Sequence, residues 1–297
     1  SSDVCSSDLP AGTTAGYLGA STTWKSIAYA PLVGAQNQGR FVAIAGGDTA
    51  SQAAAYQDAS NLFGAWTYSG SALTTSQRWQ SVTYAGQPGQ GLFVAVGGGS
   101  TAGSGTTVSN YSPNHGVNWY LGSALPTSQV WTDVAAGPVT TIANINAVVA
   151  VGGGLGGTST VAAWSNVVIG TFGNVQLSTW GQSTMPGSAA NWISVAYGNG
   201  KFVAIATGAT AATAYSTNGG KDWTAGGALP GSSLFWNKVV YGTNGVWIAL
   251  AGGSASYQSR GSTAAYSIDD GVTWTSVTMP TAQNWNNAVW QPQHNSF

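Results

Sequence analysis

One phrase returns along this chain: a tryptophan, a short alternating run, a glycine-rich turn and an apolar run. It reads TTWKSIAYA with GRFVAIAGG, RWQSVTYAG with GLFVAVGGG, VWTDVAAGP with NAVVAVGGG, NWISVAYGN with GKFVAIATG, and FWNKVVYGT with GVWIALAGG. NWNNAVWQP opens a sixth copy. The opening tryptophans are Trp24, Trp79, Trp131, Trp192, Trp236 and Trp285, spaced 44 to 61 residues apart. Units of that length suit about four strands each. A lone four-stranded sheet cannot bury both faces. Several arranged radially can, each against its neighbours.

Each unit is expected to run as strands A to D. Strand A follows the opening tryptophan, as at Ser194–Tyr197, and strand B is the apolar run, as at Phe202–Ala206. Strand C is exemplified by Thr263–Ser267 and strand D by Trp274–Val277. Linkers such as ALPTSQ (124–129) and ALPGSS (228–233) carry proline, which lacks an amide donor and suits a chain leaving a sheet. No segment keeps a 3.6-residue period with caps, so little helix is expected. Each tryptophan can bury about 150–250 Å², so sheet stacking around indoles is expected to dominate stability.

Composition agrees and removes several functions. Only 5% of residues are charged and glutamate is absent, while 14 tryptophans and 12 tyrosines argue for a folded chain. The net charge of −1 comes with no basic run, which argues against nucleic acid as a partner. No apolar run approaches the length of a membrane helix, so no membrane insertion is expected.

Residues 1–9, SSDVCSSDL, match the in-frame translation of a common sequencing adapter, and an adapter-derived artefact is expected there. Cys5, the only cysteine, falls inside it, as do Asp3 and Asp8. Without that segment the net charge is +1 and no disulfide, cysteine metal site or thiol nucleophile remains. The rest, 10–297, reads as one domain, expected to be truncated at both ends.

The stretch between strands C and D carries a second signal. Ser267-Ile268-Asp269-Asp270-Gly271-Val272-Thr273-Trp274 follows the pattern S-x-D-x-G-x-T-W. Ser216, Asn218, Gly220 and Trp223 repeat it, and so do Ser112, Asn114, Gly116 and Trp119. The first unit keeps Asp58 and Trp66 around a longer loop, and the third keeps Asn166 and Trp180. The pattern resembles the Asp-box of sialidase-like (BNR-repeat) β-propellers. The resemblance implies an all-β propeller of four-stranded antiparallel blades: about five complete, one partial, from a six- or seven-bladed whole. It also implies a structural role for the box, so Asp269 is given no catalysis. Ser and Asp or Asn can bond amides of the turn, and glycine supplies a conformation costly for other residues.

Sialidases use an arginine cluster, a Tyr–Glu pair and an aspartic acid. This chain has no glutamate and only Arg40, Arg78 and Arg260. Asp48 and Asp133 are read as solvated loop or strand-end residues, with a place facing the channel mouth as the alternative, and His115 as exposed turn chemistry. His115 and His294 have no metal-ligand spacing, and GGGLGG (152–157) lacks the Gly-Lys-Ser/Thr ending of a phosphate loop. No metal and no cofactor is expected.

In this strand order the box turns share a face with the A–B turns. The opposite face carries variable B–C loops, the natural place for recognition. Asp48 and Gln52 in one loop, and Tyr257, Gln258 and Arg260 in another, are the candidate ligand-binding residues. The repeated phrase is also similar to repeats in tail-fibre and other virion-associated proteins of tailed bacteriophages. That similarity implies a non-enzymatic adhesion module on a virion or cell surface, recognising a host-surface glycan or protein. The alternatives are a sialidase-like glycoside hydrolase and a protein-binding scaffold of the assembly-factor type. Any homo-oligomer is expected to form through regions outside this chain.

Overall fold

Five antiparallel sheets follow one another along the chain, each built from consecutive strands in chain order. The structure is a computed structural model. It describes residues 18, 23–33, 38–61, 65–139, 145–153, 157–169, 175–208, 211–231, 234–252, 260–291 and 293–297. The first blade is β1 Trp24–Val33, β2 Gln38–Ala45, β3 Ala54–Asp58 and β4 Thr67–Tyr68. The second is β5 Arg78–Gln87, β6 Gln90–Gly98, β7 Asn110–Ser112 and β8 Tyr120–Leu121. The third is β9 Trp131–Pro138, β10 Ile145–Gly152, β11 Val161–Ile169, β12 Val175–Leu177 and β13 Gly181–Thr184. The fourth is β14 Asn191–Gly198, β15 Lys201–Thr207, β16 Thr213–Ser216 and β17 Thr224–Ala225. The fifth is β18 Trp236–Tyr241, β19 Trp247–Ala251, β20 Gly261–Ser267 and β21 Thr275–Gln283. Among the described residues helix is limited to 3-10 geometry, at Ala59–Asn61 and at Gly208.

The A strands stand side by side: β1 on β5, β5 on β9, β9 on β14 and β14 on β18. Between consecutive blades the cores are flat seams rather than one central mass. The first seam joins Val42 and Ile44 to Trp79, Val82 and Phe93. The last joins Val203 and Ile205 to Trp236, Val239 and Trp247. The opening tryptophans are wedges in these seams. Trp79 and Trp131 are fully buried. Their indole N–H groups donate to the preceding blade, to the Ser51 carbonyl at 3.0 Å and the Thr106 carbonyl at 3.1 Å.

The valine three residues after each opening tryptophan faces the preceding blade. Val82, Val134, Val195 and Val239 are at most 5% exposed. In the first blade the same position, Ile27, is 56% exposed, and among the described residues no blade precedes it.

The turns between strands C and D of the second, fourth and fifth blades share one geometry. In each, the serine hydroxyl accepts the amide of the glycine four residues on, at 2.8 Å for Gly116, 2.9 Å for Gly220 and 2.9 Å for Gly271. The Asn or Asp at the third position accepts the amide four residues beyond it, from Asn118, Asp222 and Thr273. The glycines have φ of 87°, 84° and 85°. Left-handed backbone explains a glycine there, but the seam gives a second reason. A Cβ on Gly116 would meet Val42, on Gly220 Val149, and on Gly271 Val203. These valines hold one register position in the B strand of the preceding blade. The turn therefore closes its own hairpin and presses bare backbone against its neighbour.

Cations clamp the same contact. Arg40 lies 4.6 Å over the Tyr56 ring of its own blade, and its Nη1 donates to the His115 carbonyl of the next at 3.5 Å. Lys201, in the same register, lies 5.7 Å over Tyr215 and pairs with Asp270 of the next blade at 2.8 Å. In the third blade that register holds Ala147, and Lys221 reaches back from the fourth to lie 4.9 Å over Trp164.

Burial pushes the Asp270 carboxyl up, but hydrogen bonds from Lys201, Asn199 and Trp247, with the Lys201 charge, outweigh it and hold its pKa below the usual range. A carboxylate depressed in the fold stabilises above its unfolded pKa of about 3.9, and that stability is lost as pH falls through the lower folded value. Thermal melts taken downward from about pH 6 should therefore show a shallower acid-side loss in Asp270→Asn than in the wild type. Identical slopes would remove Asp270 from the acid response.

Two expectations need correction in detail. The third blade has its outer strand in two pieces, β12 pairing with Val167–Ile169 and β13 with Val161–Trp164. Trp180 breaks the strand between them and turns inward, where its Nε1 donates to Ser109 of the second blade at 3.0 Å. The sixth copy, opening at Trp285, forms no strand over residues 284–290. Among the described residues it has no following run to pair with. It still lies along β18, where Asn237 Nδ2 donates to the Trp285 carbonyl at 2.9 Å. Among the described residues no helix is long and apolar enough to cross a membrane.

Candidate functional site

The hub is built from one irregularity repeated in every A strand. The register slips just after the opening tryptophan, between Trp24 and Ser26, Trp79 and Ser81, Trp192 and Ser194, and Trp236 and Lys238. In the third blade the slip lies between Val151 and Gly152, opposite Asp133 and Trp131. A bulge re-aims the side chain beside it. Here it gathers Ser26, Ser81, Asp133, Ser194 and Lys238 into one belt. Each belt oxygen serves the next blade. Ser26 accepts the Val82 amide at 3.1 Å, Asp133 the Val195 amide at 3.1 Å and Ser194 the Val239 amide at 3.2 Å.

Asp133 is the centre of this belt. It accepts hydroxyl bonds from Ser81 at 2.7 Å and Ser194 at 2.8 Å, and the amide of Val134 at 3.1 Å. Lys238, two blades away, closes the set with its Nζ at 2.7 Å. The Asp133 side chain is 5% exposed, so its reading as a solvated strand end is wrong. A buried carboxylate survives only with such a complement of donors. Beyond the belt, toward the A–B turns, a cavity of about 430 Å³ opens among four A strands and Ala288–Trp290.

The residues expected to bind ligand lie elsewhere. Asp48 and Gln52 share the B–C loop of the first blade. Asp48 points into solvent and touches Arg78 only at 3.5 Å. Gln52 donates to the Leu73 carbonyl at 3.1 Å. Arg260 is exposed just before β20 of the fifth blade, and Tyr257 and Gln258 lie outside the described residues. No contact among the described residues joins the two groups. Residues 1–9 also lie outside them.

His115 was expected to be exposed and is half-buried, wedged at φ 58° in the second blade's turn. Its Nε2 is buried without a partner among the described residues. Burial first, and the Arg40 charge second, lower its pKa, which keeps it neutral.

Sequence reasoning missed Lys238 and the aromatic residues around the cavity. A signal was present. Tyr29, Tyr84, Tyr197, Tyr241 and Trp290 each stand five residues after an opening tryptophan.

Sheets and hub together define the class: an all-β propeller of four-stranded antiparallel blades, with about five blades in this chain. No family model matches the chain, and no curated protein matches it. Among solved structures it is similar to one described as YCF48 bound to D1 peptide, at a TM-score of 0.48 and 14% identity. The alignment covers 85% of this chain and 66% of that one, so this chain spans just under two thirds of its length.

Proposed function

We propose that this chain is a non-enzymatic binding propeller, an adhesion module of a virion appendage of the tail-fibre type, carried on a virion or cell surface. Its partner class is a host-surface glycan or protein. The observation that carries this reading is the occupation of the carboxylates. Asp58 pairs with Arg40 at 2.7 Å, and Asp222 accepts Asn218 Nδ2 at 2.7 Å. Asp269 is held by Thr273 and Ser267, Asp270 by Lys201, Asn199 and Trp247, and Asp133 by the hub. Asp222 and Asp58 are exposed in part but partnered, whereas the Asp48 side chain is 92% exposed and meets only Arg78, at 3.5 Å. Hydrolysis by two carboxylates needs an acid and a nucleophile or base flanking one bond. Residues committed to turns, seams and the hub support binding over turnover. They also support reading the serine–glycine turns as Asp-boxes with a structural task.

The test is a printed glycan array probed with the purified chain, beside a fluorogenic sialoside assay. Saturable binding with no fluorophore release is expected. Release above the buffer rate that disappears in Asp48→Ala would overturn the reading in favour of a sialidase-type hydrolase. A blank array with retained binding to an immobilised protein from a host surface would replace the glycan by a protein partner.

A further inference from the structure

We propose that the ligand seat is the mouth of the hub cavity on the face of the A–B turns, and that it takes a sugar ring. This rests on the binding reading above but places the seat opposite the B–C loops.

The seat is made by one register position. Tyr197, Tyr241 and Trp290 end successive A-type segments, and each packs against a glycine of the preceding blade: Tyr197 on Gly137, Tyr241 on Gly198, and Trp290, beside Asn244 and Phe297, on Gly242. A Cβ at any of these glycines would collide with the ring above it. The rings are fixed at their far ends. The Tyr197 hydroxyl donates to the Pro138 carbonyl at 2.9 Å, and the Trp290 indole N–H donates to Thr243 Oγ1 at 2.8 Å. Tyr197 meets Phe202 edge-on at 4.9 Å, and Tyr241 stands 4.7 Å from Trp247. The result is a curved row of pre-set aromatic rings around the mouth.

The third blade breaks the row. Where the other blades carry tyrosine it carries Ala136. The 430 Å³ cavity opens there, lined by Thr83, Ala136, Tyr197, Lys238, Tyr241 and Trp290. That volume lies within the range of small-ligand sites, about 300–1,000 Å³. At its floor the Lys238 ammonium uses one donor on Asp133. An ammonium has three, and its side chain is 29% exposed. Asp133 already takes four other hydrogen bonds, so Lys238 keeps donors to offer. Fixed aromatic surfaces beside an ammonium and a threonine hydroxyl are the chemistry that recognises a sugar: its C–H faces pack on rings and its hydroxyls pair with the polar groups.

The experiment compares four proteins on one printed array of mono- and oligosaccharides: wild type, Ala136→Tyr, Trp290→Ala and Arg260→Ala. Ala136→Tyr restores the side chain the other blades carry, and Tyr84 already packs in the cluster that contains Ala30, so this variant fits the repeat while filling the cavity. Trp290→Ala lies outside the sheets. Melting curves verify that both fold. At least a tenfold rise in half-saturating concentration is expected for both, with Arg260→Ala unchanged. Wild-type binding retained in both variants overturns the seat and leaves the binding reading standing; loss confined to Arg260→Ala moves the site to the B–C loops. No wild-type glycan binding, with binding to an apolar peptide instead, overturns both the seat and glycan recognition.

Discussion

Truncating Trp131 to alanine is expected to lower the unfolding free energy by about 3–5 kcal/mol, the usual cost of emptying a fully buried aromatic site. Trp131 is completely buried, and its indole N–H reaches the Thr106 carbonyl of the preceding blade. The truncation removes a wedge and strands a backbone acceptor in the same seam. Trp274, which closes the last C–D turn, is only half-buried. Its alanine variant should lose less. Denaturant unfolding followed by far-ultraviolet circular dichroism checks the order; a larger loss for Trp274→Ala than for Trp131→Ala would contradict the seam as the main source of stability.

Asp133→Ala is the second large effect. Removing one partner of a buried ion pair costs about 3–5 kcal/mol. Lys238 is partly exposed and can turn toward solvent, so the lower end, about 3 kcal/mol, is expected here. Most of it comes from the Ser81 and Ser194 hydroxyls and the Val195 amide, which lose a charged acceptor. Lys238→Met should cost less, because Asp133 keeps its four neutral donors. The same denaturant series measures both. If Asp133→Ala unfolds at the wild-type midpoint, the belt does not hold the blades together.

These two residues mark what the sequence could and could not disclose. Trp131 is legible because its role repeats: the same side chain opens each unit and meets the same strand. The C–D turns are legible for a related reason. Their bonds run between residues two and four apart, so spacing alone carries them. Asp133 has partners 52, 61 and 105 residues away. Nothing local distinguishes it from an exposed strand residue, and only the meeting of bulges from several blades buries it. The split outer strand of the third blade is hidden likewise, because Trp180 is drawn inward by Ser109 of another blade. The cavity is a halfway case. Its tryptophan and tyrosines keep a visible five-residue offset, whereas the space exists only because Ala136 interrupts it. Asp48, Gln52 and Arg260 do lie at loop positions, as their surroundings in the sequence suggest.

The reach of Lys238 to Asp133 also bears on how the molecule comes apart. A linear array of modules held only by adjacent contacts opens one unit at a time. Here one carboxylate of the third blade is touched by the second, fourth and fifth. Four of the five sheets are thereby tied to a single point, whereas the first is joined only to its neighbour, through the Ser26–Val82 bond, their seam and direct bonds such as Trp79 to Ser51, with none to Asp133 among the described residues. Amide exchange should divide accordingly: one block of common protection from Arg78 onward, and an earlier-opening unit before it.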